Sequence, residues 1–186
     1  MPAENWYTIS GATTGIVHDG WTLGAGANKN VAVQIGGGRA GAVTHDDDTS
    51  YVNATGAQRQ CFNADWPGPI IAFTSLTCGF RLKETAVAAQ SVSQEWCTSG
   101  GTLSATFNTT DPGGYATVGP IDVAALRPGG GSWVPADFAD NTAMQPCIVS
   151  NATAVRVTSV FGVLTYTPPV GGFVFLLGLG PLVVLP

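Results

Sequence analysis

The chain has 186 residues, carries a net charge of −5, and only 10% of its residues are charged, against roughly 25% in ordinary soluble domains. Its seven Lys and Arg are spread along the chain, so no basic stripe exists to neutralise phosphates, which argues against a nucleic-acid partner. The length allows a buried core without help from disulfides or metals. Met1-Pro2-Ala3-Glu4 shows neither a positive n-region nor an apolar h-region, so no secretory signal is expected. Long runs of helix formers are absent, while 25 Gly and 12 Pro punctuate the chain into many short segments. That pattern predicts an all-β fold, a Greek-key or jelly-roll β-sandwich of eight to ten strands.

In chain order, residues 6–9 and 15–23 read as a first hairpin-like pair. Residues 30–35 alternate, with Val31, Val33 and Ile35 facing one way, and predict a strand ended by Gly36-Gly37-Gly38. The acidic turn Asp46-Asp47-Asp48 follows, because short carboxylates bond local amides and favour turns over ladders. A strand starts at Ser50. Residues 56–62, with Gln58, Arg59 and Gln60, read as a solvated edge or loop, and Trp66-Pro67-Gly68-Pro69 as a rigid turn. The best strand is 70–82: Leu76, Cys78, Phe80 and Leu82 share one face, Ser75, Thr77, Arg81 and Lys83 the other. Val92, Gln94 and Trp96 alternate as a strand. Residues 102–108 predict another, with Leu103, Ala105 and Phe107 inward. Asp111-Pro112-Gly113-Gly114 is a turn. Residues 121–126 are short and apolar, 134–138 open a short helix or an extended connection, and 147–149 form a brief strand. Residues 154–166 close the core, with Gly162 as the expected bulge.

The last segment differs. After Pro168-Pro169 and Gly171-Gly172, residues 173–185 are apolar apart from their glycines. They are short for a transmembrane helix, and Gly178, Gly180 and Pro181 weaken any helix. Free in water this stretch would be a sticky patch. We divide the chain into a sandwich domain, 1–169, and an apolar C-terminal arm, 170–186, packed on protein. Its own sandwich is the second choice of cover and a membrane the least favoured.

Candidate chemistry is sparse. Cys61, Cys78, Cys97 and Cys147 form no C-x-x-C pair and match no zinc spacing, so buried thiols are the expectation. His45 beside the three aspartates lacks the spacing of a calcium loop. His18-Asp19-Gly20 has no nucleophile motif to serve. Glu84 and Glu95 are a carboxylate pair only if the fold brings them together. The glycine runs lack a P-loop ending. Trp6, Trp21, Trp66, Trp96 and Trp133 suit core packing better than sugar stacking. The three Asn-x-Thr matches at Asn53, Asn108 and Asn151 read as coincidence in a Thr-rich chain. No catalytic residue, cofactor or metal is expected.

Asp46-Asp47-Asp48-Thr49-Ser50-Tyr51-Val52, the strand 70–82, the turn Pro128-Gly129-Gly130-Gly131-Ser132-Trp133 and the closing strand 154–166 form a series. In this order and spacing, over roughly residues 40–167, the series resembles small structural proteins of tailed-bacteriophage virions. The resemblance implies a non-enzymatic virion component assembled in the host cytoplasm, a head decoration or cement protein. Its implied partners are the major capsid protein, other virion proteins, and further copies of itself, a trimer being compatible. The contact residues we select are Phe173, Phe175, Leu176 and Leu177 in the arm, with Trp6 and Tyr7 as a second contact. The alternative is a tail or baseplate module that binds a host glycan through exposed aromatics such as Trp66 and Trp133. A ring-forming tail-tube or connector component is a third option.

Overall fold

The computed structural model describes residues 3–8, 15–35, 39–45, 48–54, 56–84, 92–110, 115–150 and 155–169. The chain is all-β, with two antiparallel sheets and a single short α-helix among these residues. The first sheet holds β1 (Ala3–Tyr7), β2 (Thr22–Ala25), β3 (Tyr51–Asn53), β5 (Ala72–Glu84), β8 (Ala116–Asp122) and β10 (Val155–Thr167), with β4 (Arg59–Cys61) left to the second. That second sheet runs β4, β9 (Met144–Ser150), β6 (Val92–Thr98), β7 (Asn108–Thr110).

The first sheet is built around β5 and β10, two 13-residue strands paired along most of their length. The other border of β10 is shared: β3 takes Arg156 and Val157, and β1 takes Phe161 to Thr165. β8 lies outermost against β5, with Pro120 inside it, and no strand among the described residues pairs with its far side.

The alternation expected for 70–82 holds: Leu76, Cys78, Phe80 and Leu82 are fully buried, while Ser75, Thr77, Arg81 and Lys83 are half-buried on the other face. Residues of both sheets meet in one apolar cluster, which includes Trp6, Phe80, Val157, Trp96 and Ile148. At its centre the indoles of Trp6, Trp66 and Trp96 lie 5.2–6.0 Å apart, and Phe138 meets Trp66 edge-on. Tilted and edge-to-face arrangements suit the quadrupoles of these rings. Four of the five indole N–H groups donate to backbone carbonyls: those of Thr77, Gln58, Met144 and Val123.

Several expectations change. Residues 6–9 and 15–23 do not form a hairpin, because β1 pairs β10 and β2 pairs β3. The alternating run 30–35 is not a strand. A single helical turn, α1 (Lys29–Ala32), opens it, with the Ala32 amide bonded to the Asn28 carbonyl. Val33 and Ile35 are still buried: alternation over so few residues reports burial better than it reports backbone. Residues 59–61 are β4, the edge strand of the second sheet, but not a solvated one: Gln60 and Cys61 are fully buried. Residues 103–107 run beside β6 without a regular ladder, because the Ser104 hydroxyl accepts from the Trp96 amide and Ala105 turns outward.

Gly162 is not the bulge of β10. The register shifts fall between Val157 and Ser159 and between Thr165 and Tyr166. Gly162 stands opposite Trp6, and a Cβ there would meet the Thr77 carbonyl and lie 2.5 Å from the Trp6 ring nitrogen. Only a residue without a side chain leaves room for that indole.

Candidate functional site

The arm selected from the sequence, with Phe173, Phe175, Leu176, Leu177, Gly178 and Gly180, lies outside the described residues. Its root is described. β10 ends at Thr167, whose carbonyl accepts from the Ile71 amide at 2.7 Å, and Pro168 and Pro169 are exposed. Ile71 itself is 53% exposed, the most open of the large apolar side chains described. The last described residues, Pro168 and Pro169, thus follow β10 into solvent near an exposed apolar side chain.

The second selected contact needs correction at one residue. Trp6 is fully buried, packed on Trp66 and Trp96, so it presents no surface to a partner. Tyr7 is half-buried and points elsewhere, into a polar network that fastens β1. Burial and the Asp65 carboxylate that its hydroxyl bonds together push the Tyr7 phenol up from its ordinary value. Arg39 holds this network: its guanidinium reaches Asp65 at 3.1 Å, Glu4 at 3.5 Å, and the carbonyls of Asp65 and Trp66. Tyr166, at the end of β10, is also raised, by burial first and then by its hydrogen bond to Glu4. The strand beside the arm root is thus fixed by polar contacts as well as by its ladder.

Only part of the acidic turn is described. Asp46 and Asp47 lie outside; Asp48 has a positive φ of 63°. This left-handed conformation is one that Asp tolerates. Its carboxylate takes a two-pronged grip from Arg81, Nε to Oδ1 at 2.6 Å and Nη2 to Oδ2 at 2.5 Å, and accepts from the Thr158 hydroxyl at 2.8 Å. The Arg81 hydrogen bonds hold the Asp48 carboxyl below the usual carboxylate range, against the opposing effect of burial. Next to it His45 Nδ1 shares a 2.7 Å hydrogen bond with the buried Ser159 hydroxyl. The turn thus clamps the 48–53 segment onto β5 and β10. Both carboxylate oxygens of Asp48 are engaged by protein groups.

The other cations are committed too. Lys29 pairs with Asp19, Arg59 with Glu95, and Arg127 with Asp137. Lys83 sits 4.8 Å over the Tyr115 ring and Arg156 4.3 Å over Tyr51, distances that suit cation–π attraction.

The sequence reading missed one constellation. Cys61 and Cys147 are joined in a disulfide, which corrects the expectation of four buried thiols; Cys78 and Cys97 are free and buried. Cross-strand register explains the pairing, since Cys61 on β4 stands directly opposite Cys147 on β9. Cys97, on β6, joins them: the three sulfurs lie within 4.8 Å of one another. Sequence spacing hid this group because its members come from three strands. The signal available was parity: with Trp96 inward, Cys97 must face the other way. Cys78 is not part of the group. It belongs to the main core, where burial raises its thiol well above the ordinary value.

Compared with family models, with curated proteins and with solved structures, the chain matches none of them.

Proposed function

We propose that this protein is a non-enzymatic structural component of a tailed-phage virion, a head decoration or cement protein. Its body is a Greek-key or jelly-roll β-sandwich, and its apolar segment 170–186 docks onto the major capsid protein or a neighbouring virion protein. The observation that carries the reading is the contrast between that segment and the body that bears it. Residues 173–185 contain no charged or hydrogen-bonding side chain. The body engages its basic side chains internally and buries its tryptophans. Such a body suits a carrier, and the oily segment suits the contact.

Two features support the choice over its alternatives. All five tryptophans are buried, Trp66 and Trp133 included, so none offers a ring face for stacking a sugar. All seven basic side chains are engaged by carboxylates or tyrosine rings, which leaves little free positive charge for a phosphate backbone. On a symmetric shell, a modest contact repeated at every equivalent site sums to a large stabilisation.

The test is co-sedimentation with empty shells of the encoding phage, comparing the full chain with one ending at Pro169. Fully burying one Leu or Phe contributes about 1.5–3 kcal/mol. Losing two such contacts should therefore weaken docking by about 100-fold or more. Copy number on saturated shells should be in a simple ratio to the major subunit. Equal docking by the shortened chain would overturn the role of the arm, and a few copies at one vertex would overturn the decoration role.

A further inference from the structure

Three of the four cysteines converge on one face of the second sheet, away from the main core. Cys61 and Cys147 face each other across β4 and β9, while Cys97 on β6 is opposite Gln145, one pleat along from Cys147. All three are fully buried, and Ile16, Val17 and Leu103 pack over them. A disulfide uses two sulfurs and gives no reason for a third within 4.8 Å.

A candidate fourth donor lies next in register, although its ring nitrogens are not among the three clustered sulfurs. A short antiparallel bridge pairs Asp19 with Gln60, and the Cys61 amide bonds the His18 carbonyl at 2.8 Å. This register sets His18 directly across from Cys61, on the same side of the local ladder. The His18 Nε2 atom is buried and has no hydrogen-bond partner among the described residues. A buried ring nitrogen without a partner is costly unless something else satisfies it.

Three thiolates and one imidazole are a donor set that zinc takes in closed structural sites. Around such an ion, at about 2.3 Å from each sulfur, neighbouring thiolates lie about 3.8 Å apart, within the spread of this cluster. We propose that, once the Cys61–Cys147 bond is reduced, Cys61, Cys97 and Cys147 bind a zinc-class ion as thiolates, with His18 turning its ring inward to take the fourth position. A phosphine supplies the two electrons that convert the disulfide to two thiols and leaves as its oxide, water giving the two protons and the oxygen. Binding a divalent ion then releases one proton from each of the three thiols, leaving a site of net charge −1. The inference stands apart from the assembly role and does not depend on it.

The experiment uses the full chain, reduced with a phosphine without oxygen, stripped of metal, and titrated with Co2+. Wild type should bind one ion per chain, develop a thiolate-to-cobalt charge-transfer band in the near ultraviolet, and lose it when Zn2+ is added. Cys97→Ser, left with two thiolates, should show a weaker band at saturation and bind at least about 100-fold more weakly, since removing a ligand should cost no less than removing its supporting shell. Cys78→Ala, outside the cluster, should bind like wild type. His18→Ala should keep the charge-transfer band but shift the visible ligand-field bands. Circular dichroism of each variant separates lost binding from lost folding. Reduced wild type binding no better than Cys97→Ser would overturn the site, as would Cys78→Ala matching Cys97→Ser. An unchanged ligand-field spectrum in His18→Ala would overturn the part given to the imidazole.

Discussion

The two faces of the second sheet are built from adjacent residues yet differ in kind. On one face β6 presents Trp96, set among Trp6, Trp66 and Trp133 in the shared apolar cluster. On the other, one residue on, it presents Cys97, beside a disulfide and an Arg59–Glu95 ion pair. The first face is held by area removed from water and by ring packing. The second is smaller and holds through a covalent bond and charge pairing. Stability and chemistry are thereby divided across one strand, and each side can be perturbed without touching the other.

The largest effect is expected on the indole side. Trp96→Ala should lower unfolding stability by about 3–5 kcal/mol, read from a urea midpoint, while the thiol count of the unreduced protein stays at two, Cys78 and Cys97. A fall of under 1 kcal/mol would mean that the core closes without its central ring. Reduction of the disulfide comes next. It frees a loop with a sequence separation of 86 and should cost about 2–4 kcal/mol in metal-free protein. The near-ultraviolet dichroism of the tryptophans should be unchanged at low denaturant. Its collapse on reduction would show that the two faces are one cooperative unit.

The smallest effect concerns the first sheet. The Asp48 carboxyl is held below its ordinary value of 3.8, first by its Arg81 hydrogen bonds. The charged form is therefore favoured by folding. Its contribution is complete above that ordinary value and is lost as the pH falls through the depressed one. Asp48→Asn keeps a residue that tolerates positive φ and removes only the charge. It should cost about 1–2 kcal/mol at neutral pH. Below about pH 4 the gap between wild type and variant should shrink, and a gap constant from neutral to acid would refute the clamp.

Long periodic segments were legible in the sequence. The 70–82 run showed its inward face residue by residue, because its buried face alternates with a wetter one. Val92, Gln94 and Trp96 were legible for the same reason. Short segments were not. Residues 30–35 alternate, yet a helical turn opens them, because two or three buried positions are compatible with either backbone. β4 carries Arg59 and Gln60 and reads as solvated. Their polarity is satisfied inside the fold instead: Arg59 pairs with Glu95, and the Gln60 side-chain carbonyl accepts from the Trp21 amide at 3.1 Å. The cysteine cluster was hidden because its register depends on pairing between distant strands, which no local pattern encodes. Asp48, the one described aspartate of the acidic run, does lie in a turn, but its tie to Arg81 was not visible for the same reason.

Pro120 in β8 has a consequence for how copies of this protein meet. The outer border of an open sheet offers hydrogen-bonding groups on which a second chain can template. β8 is such a border, and its proline has no amide hydrogen to offer there. A foreign strand laid along it would find a gap in the row of donors. Runaway strand-by-strand stacking is thus discouraged on that flank.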